Sequence, residues 1–169
     1  NHPRTLTAVN NMGYILDKMG RPKEAEFYYR EALEKMRQVV GFDHPETLTA
    51  ATNLGLMLEF RGNAPEAEVF YREVLEGCRR VFGEDHQETL RILKLLADTL
   101  EAQNKLSESE KYYQQAYEGY VQVYGEENST TLKALRNLGD ILNRQGKYSE
   151  AESYYHDALE ITKSVYGED

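Results

Sequence analysis

The stretch Gly41-Phe42-Asp43-His44-Pro45-Glu46-Thr47-Leu48 decides how the chain is read, because its landmarks return at a fixed interval. His2, His44 and His86 are 42 residues apart, Asn128 takes the fourth place, and no insertion or deletion breaks the register. Leu6, Leu48, Leu90 and Leu132 fall on the same grid, as do Tyr29, Tyr71, Tyr113 and Tyr155, and Gly41, Gly83, Gly125 and Gly167. Self-similarity at such a period marks a repeat architecture in which each copy is one supersecondary unit. Four copies account for the chain, with boundaries near 1–41, 42–83, 84–125 and 126–169, and we read them as one repeat domain.

Within a copy the apolar residues keep helical spacing. Leu6, Val9, Met12, Ile15, Leu16 and Met19 mark one helix, and Ala25, Tyr29, Ala32, Leu33, Met36 and Val40 a second. Gly20-Arg21-Pro22 separates them: a glycine tolerates the left-handed conformation that ends a helix, and a proline suits the first turn of the next. Gly41 ends the second helix, and Asp43-His44-Pro45 supplies a capping candidate and the next start. A helix pair this short cannot bury its own apolar faces, so the pairs must stack, and about three copies are needed for stability. The last pair is expected to expose Tyr155, Leu159, Thr162 and Tyr166.

At 169 residues, 40% hydrophobic and 29% charged, the composition is that of an ordinary folded domain. No window approaches the roughly 18 consecutive apolar residues of a membrane span, and no basic-then-apolar leader opens the chain. A single cysteine, Cys78, forms no internal disulfide, which favours a cytoplasmic setting. The excess of 29 acidic over 20 basic residues gives a net charge of −9, a field that repels phosphate backbones and anionic lipids. Nucleic acid and membranes are therefore not the expected partners. Asn1 stands where a methionine would open a complete protein, so we expect a piece of something longer.

Asn11-Met12-Gly13, Gly20, Glu24-Ala25-Glu26, Tyr29, Ala32 and Leu33 resemble a tetratricopeptide repeat, with Gly13, Ala25 and Ala32 at its small-residue places. The period of 42, together with Asp-His-Pro-x-Thr-Leu and Asn-Leu-Gly, resembles the kinesin-light-chain type. HEAT and armadillo repeats share the period range but not the small-residue pattern. The resemblance implies an all-α, right-handed α-solenoid of four tetratricopeptide-like helix pairs. Copy three departs most, with Leu95-Leu96-Ala97 for Asn-Leu-Gly, Asn104 for the turn glycine, Ser109 for an alanine and Gln87 for the proline.

The resemblance also implies that the first helix of every pair lines a concave groove. Copies one and two would present Thr7, Asn10, Asn11 and Tyr14, then Thr49, Thr52, Asn53 and Leu56, all neutral. Copies three and four would present Arg91, Lys94 and Asp98, then Lys133, Arg136, Asn137 and Asp140, a more basic face. In the family an asparagine here contacts the backbone of a bound peptide, which makes Asn11, Asn53 and Asn137 a candidate ladder. Those amides could instead tie one helix to its neighbour. Likewise Arg91, Lys94, Lys133 and Arg136 could dock an acidic peptide, or Lys94 could pair with Asp98 and Arg136 with Asp140 along their own helices.

Other motifs reduce to structure. Stacked helices lie on the order of 10 Å apart and zinc ligands about 2 Å from their metal, so His2, His44 and His86 read as caps, and His156 as an exposed residue. One of each tandem aromatic pair, such as Tyr28-Tyr29 or Phe70-Tyr71, belongs between helices. No Walker loop, dinucleotide glycine pattern or His-Glu-x-x-His is present. The expectation is therefore a non-enzymatic protein-interaction module without cofactor or metal, binding a short and acidic segment in its groove, where four helices would span about ten residues of strand. The alternatives are a spacer, a solenoid that assembles end to end through its terminal repeats, or a regulatory array attached to an enzyme domain outside this chain.

Overall fold

A computed structural model of the protein describes residues 2–167, so the outer repeat boundaries at 1 and 169 lie outside the described residues. Among these residues there are eight α-helices and no strand: α1 (Pro3–Lys18), α2 (Pro22–Val39), α3 (Pro45–Phe60), α4 (Ala64–Phe82), α5 (Gln87–Ala102), α6 (Leu106–Tyr124), α7 (Ser129–Arg144) and α8 (Tyr148–Tyr166). They form two compact units, residues 1–83 and 84–169, each holding two helix pairs.

The punctuation works as its chemistry dictates. At the end of α1 the Arg21 N–H donates to the Leu16 carbonyl at 2.9 Å and the Gly20 N–H to Asp17 at 3.0 Å, with Gly20 at φ 72°. That is a Schellman close. The same close follows α3, α5 and α7, where Asn63, Lys105 and Lys147 donate to Leu58, Leu100 and Leu142. In copy three Asn104 takes the left-handed position at φ 61°, the substitution glycine's role most readily accepts.

Each first helix is capped by the residue on the 42-residue grid. Nδ1 of His2, His44 and His86 accepts from the N–H two residues on, at 3.3, 3.3 and 3.2 Å, and Asn128 Oδ1 does so at 2.8 Å. Asp43, the acidic neighbour of one cap, instead accepts from Nη2 and Nε of Arg80, at 2.6 and 3.0 Å.

Small residues let the paired helices close. A methyl group at Gly13, Gly55 or Gly139 would come within 2.9, 2.6 and 2.6 Å of the ring of Tyr29, Tyr71 or Tyr155. Copy three solves the contact differently: Ala97 packs with Tyr113, and the buried Ser109 hydroxyl donates to the Ala97 carbonyl at 2.8 Å. Burying that hydroxyl is tolerable because it is satisfied.

Within unit 1, α2 packs on α3, and within unit 2, α6 packs on α7. Ion pairs follow these joints. Arg30 reaches Glu66 at 2.6 Å, Arg37 reaches Glu73 at 2.6 Å, and Lys147 reaches Glu110 at 2.9 Å. Exposed pairs of this kind contribute only about 0–1 kcal/mol each, so they set register more than stability. The unit 2 core between pairs is apolar, joining Ala97, Tyr113, Leu138, Ile141, Leu142 and Ala151.

Not every apolar residue is covered. Leu159, Thr162 and Tyr166 are exposed on α8, whereas Tyr155 is half-buried, its ring seated over Gly139. Met12, Ile15 and Met19, which the helical stripe of α1 contains, also face solvent.

Candidate functional site

In unit 1 the first helices α1 and α3 touch directly, and a cavity of about 270 Å³ opens where they meet. Tyr14, Asn53 and Leu56 line it, three residues anticipated for the groove, together with Asp17, Lys18, Tyr29, Met57 and Phe60. Phe60 is 89% exposed, a large apolar ring held at the cavity edge. It escaped sequence reading because it ends its helix, outside the positions the repeat pattern singles out. Lys18 Nζ lies 5.4 Å from the centroid of the Tyr14 ring, a cation–π distance. Burial pushes the Tyr29 phenol up to about 12, with Asp17 and Tyr14 adding to the shift.

Two anticipated residues do not belong to this surface. Asn10 is 5% exposed and its Oδ1 has no partner, and Thr52 is buried with its hydroxyl donating to Leu48 at 2.8 Å. Both sit on the side of their helix turned into the unit. Thr7 and Thr49 bond back to the carbonyls of Pro3 and Pro45 at 3.2 and 2.9 Å, which occupies their protons. Asn11 is exposed, and Asn53 and Asn137 are half-buried. Among the described residues none of these three amides makes a side-chain hydrogen bond.

The first-helix face of unit 2 is less basic than its composition suggests. Arg91 pairs with Glu88 at 2.7 Å and Lys94 with Asp98 at 2.6 Å. Asp98 also accepts from the Tyr113 hydroxyl at 2.7 Å, and Glu101 from the same hydroxyl at 2.8 Å; burial, then these acids, hold that phenol far above its ordinary range. The pair anticipated between Arg136 and Asp140 does not form. Asp140 Oδ1 accepts from the Tyr155 hydroxyl at 2.7 Å, leaving the guanidinium without an acid. Lys133 and Arg136, one turn apart on α7 and both exposed, therefore stand without ion-pair partners among the described residues, beside Asn137.

Other chemistry finds no geometry here. Among the described residues no three His, Cys, Asp or Glu side chains gather as a metal set, and no helix is long and apolar enough to cross a membrane. Cys78 is buried.

Models of the tetratricopeptide repeat match residues 46–122 and, separately, 5–46 and 131–169. No curated protein matches the sequence. Among solved structures the chain is similar to BtubC (BKLC) from P. vanneervenii, with 19% identity and a TM-score of 0.88 over 100% of this chain and 68% of the other. It is also similar to the nearly identical TPR-like repeats of a Podosopora anserina protein assigned as a kinesin light chain, with 14% identity, TM-score 0.62 and 99% and 100% coverage. A third is a Rap protein complexed with Competence and Sporulation Factor, with 12% identity and TM-score 0.72 over 96% of this chain and 44% of that one. At these identities the likeness shows the fold.

Proposed function

We propose that this chain, which belongs to the tetratricopeptide repeat family, holds a short extended segment of a partner protein on its first-helix faces, and that the segment is acidic. The chain is a protein-interaction module of a family whose members are typically non-catalytic scaffolds. The observation that carries the finer reading is the convergence of Tyr14, Asn53, Leu56 and Phe60 on one open cavity. An apolar floor with an unengaged amide beside it suits a side chain inserted from an extended backbone, since an amide both donates to and accepts from a strand. A Rap protein of the same fold is complexed with Competence and Sporulation Factor, which supports reading the fold as a receptor.

The acidic preference rests on Lys133 and Arg136. Both cations are exposed and unpaired, so an incoming carboxylate displaces no ion pair and a guanidinium can take it bidentately. Arg91 and Lys94 would first have to release Glu88 and Asp98, and they contribute less. Fluorescence anisotropy with labelled acidic and neutral peptides at two salt concentrations tests this. Salt-sensitive binding of the acidic peptide, lost in Lys133→Glu/Arg136→Glu, is expected; equal affinity for both peptides and no effect of the charge reversal would refute the acidic preference.

A further inference from the structure

We infer that the cavity of unit 1 takes a basic side chain of the bound segment, an arginine or a lysine, between Asp17 and the hydroxyl of Tyr29. This rests on the reading that the first-helix faces hold a segment, and it names the side chain that enters.

The four copies treat their buried tyrosine differently. Tyr71 donates its hydroxyl to Glu59 at 3.1 Å, Tyr113 to Asp98 at 2.7 Å and Glu101 at 2.8 Å, and Tyr155 to Asp140 at 2.7 Å. On the 42-residue grid, copy one has Tyr14 in the place of Asp98 and Asp140, and Asp17 in the place of Glu59 and Glu101. Tyr14 offers no carboxylate, and an aspartate is shorter than a glutamate by a methylene. The consequence is a gap. Tyr29 is 2% exposed, yet its hydroxyl has no protein partner among the described residues. Asp17 is half-buried, and its carboxylate likewise has no ion pair or hydrogen bond among them. Both side chains line the cavity of about 270 Å³. Burial first, then the charge of Asp17, raises the Tyr29 phenol, so the two groups lie within electrostatic reach of each other. The cavity opens where α1 meets α3, and both helices are present whatever precedes α1.

The chemistry of the gap selects its occupant. An anion would be repelled by Asp17, and an apolar group would desolvate the carboxylate without pairing it, which is costly. A guanidinium or an ammonium donates to the carboxylate in a charge-assisted bond and can donate to the phenol oxygen as well. Its hydrocarbon stem suits the apolar wall that Leu56 and Met57 provide. Aromatic faces complete the fit: Lys18 Nζ, 5.4 Å from the centroid of the Tyr14 ring, shows that this face draws a cation. Lys18 does not fill the gap itself, because it is exposed and makes no ion pair with Asp17 among the described residues. Each unit then reads one charge of the segment, a base at Asp17 and an acid at Lys133 and Arg136.

The test is an amide-resolved NMR titration of the 169-residue chain with N-acetyl-arginine amide, N-acetyl-citrulline amide and N-acetyl-glutamate amide. Citrulline keeps the shape of arginine and removes its charge. The arginine probe is expected to give saturable shifts at Tyr14, Asp17, Tyr29 and Phe60, the citrulline probe to bind at least about tenfold more weakly, and the glutamate probe not to bind there. Asp17→Asn should erase the difference between arginine and citrulline without disturbing amides elsewhere. Asp17→Glu keeps the charge but should weaken the arginine probe too, because a glutamate at this place reaches the tyrosine, as Glu59 reaches Tyr71. Equal binding of arginine and citrulline, an arginine preference that survives Asp17→Asn, or no saturable shift at these residues would overturn the inference. The docking reading is judged separately by the acidic-peptide anisotropy. An acidic peptide that binds while the arginine probe does not would leave docking standing and remove the basic side chain, and failure of both would overturn both.

Discussion

Gly55 of α3 lies against the ring of Tyr71 of α4 so closely that a methyl group at Gly55 would come within 2.6 Å of Tyr71 Cε1. Tyr71 is fully buried and its hydroxyl donates to Glu59 at 3.1 Å, so the ring has nowhere to go. Gly55→Ala should therefore cost about 1–3 kcal/mol through overpacking, seen as a lower denaturant midpoint at unchanged slope. Gly139→Ala should cost less, because its partner Tyr155 is only half-buried and can swing outward.

The Tyr113 hydroxyl donates toward both Asp98 and Glu101. Tyr113→Phe keeps the ring packing and strips those bonds, and should cost about 1.5–3 kcal/mol, the range for hydrogen bonds to charged groups. Ser109→Val should cost more than Ser109→Ala, since the site is fully buried and already filled. Urea unfolding of the three variants checks the ranking.

Alkaline pH should weaken unit 1. The Tyr29 phenol is raised from 10.0 to about 12, chiefly by burial. Its folded value lies above its unfolded one, so its contribution to stability is complete below pH 10 and is lost as pH rises from 10 toward 12. Tyr29→Phe should flatten the fall in thermal midpoint across that window; an unchanged pH profile would show that this phenol is not responsible.

Reversing charge should matter most where no partner is lost. Lys133→Glu and Arg136→Glu are each expected to weaken an acidic peptide about tenfold or more, and Arg91→Glu less, because Arg91 already spends its charge on Glu88. All three variants should keep the unfolding midpoint of the unaltered chain.

The helix pairs were legible in the sequence because each is written four times. A glycine or asparagine at each turn, a cap residue on the grid and a tyrosine facing a small residue leave little choice of structure. The site was legible only in part. Spacing alone cannot say which of two partners a carboxylate takes: Asp98 keeps Lys94, four residues away, but Asp140, equally spaced from Arg136, bonds to Tyr155 on the next helix instead. Nor can spacing say which edge of an amphipathic stripe is covered. Asn10 and Thr52 fall just inside that edge and are buried, whereas Met12 and Ile15, apolar and in register with the buried Leu54 and Met57, are open.

The most direct test of the account is an amide-resolved NMR titration of the chain with an acidic peptide. The predicted result is saturable, salt-sensitive shifts on the first helices, at Tyr14, Asn53 and Leu56 of unit 1 and at Lys133, Arg136 and Asn137 of unit 2. Shifts confined to the second helices α2, α4, α6 and α8 would contradict it, as would the absence of saturable binding.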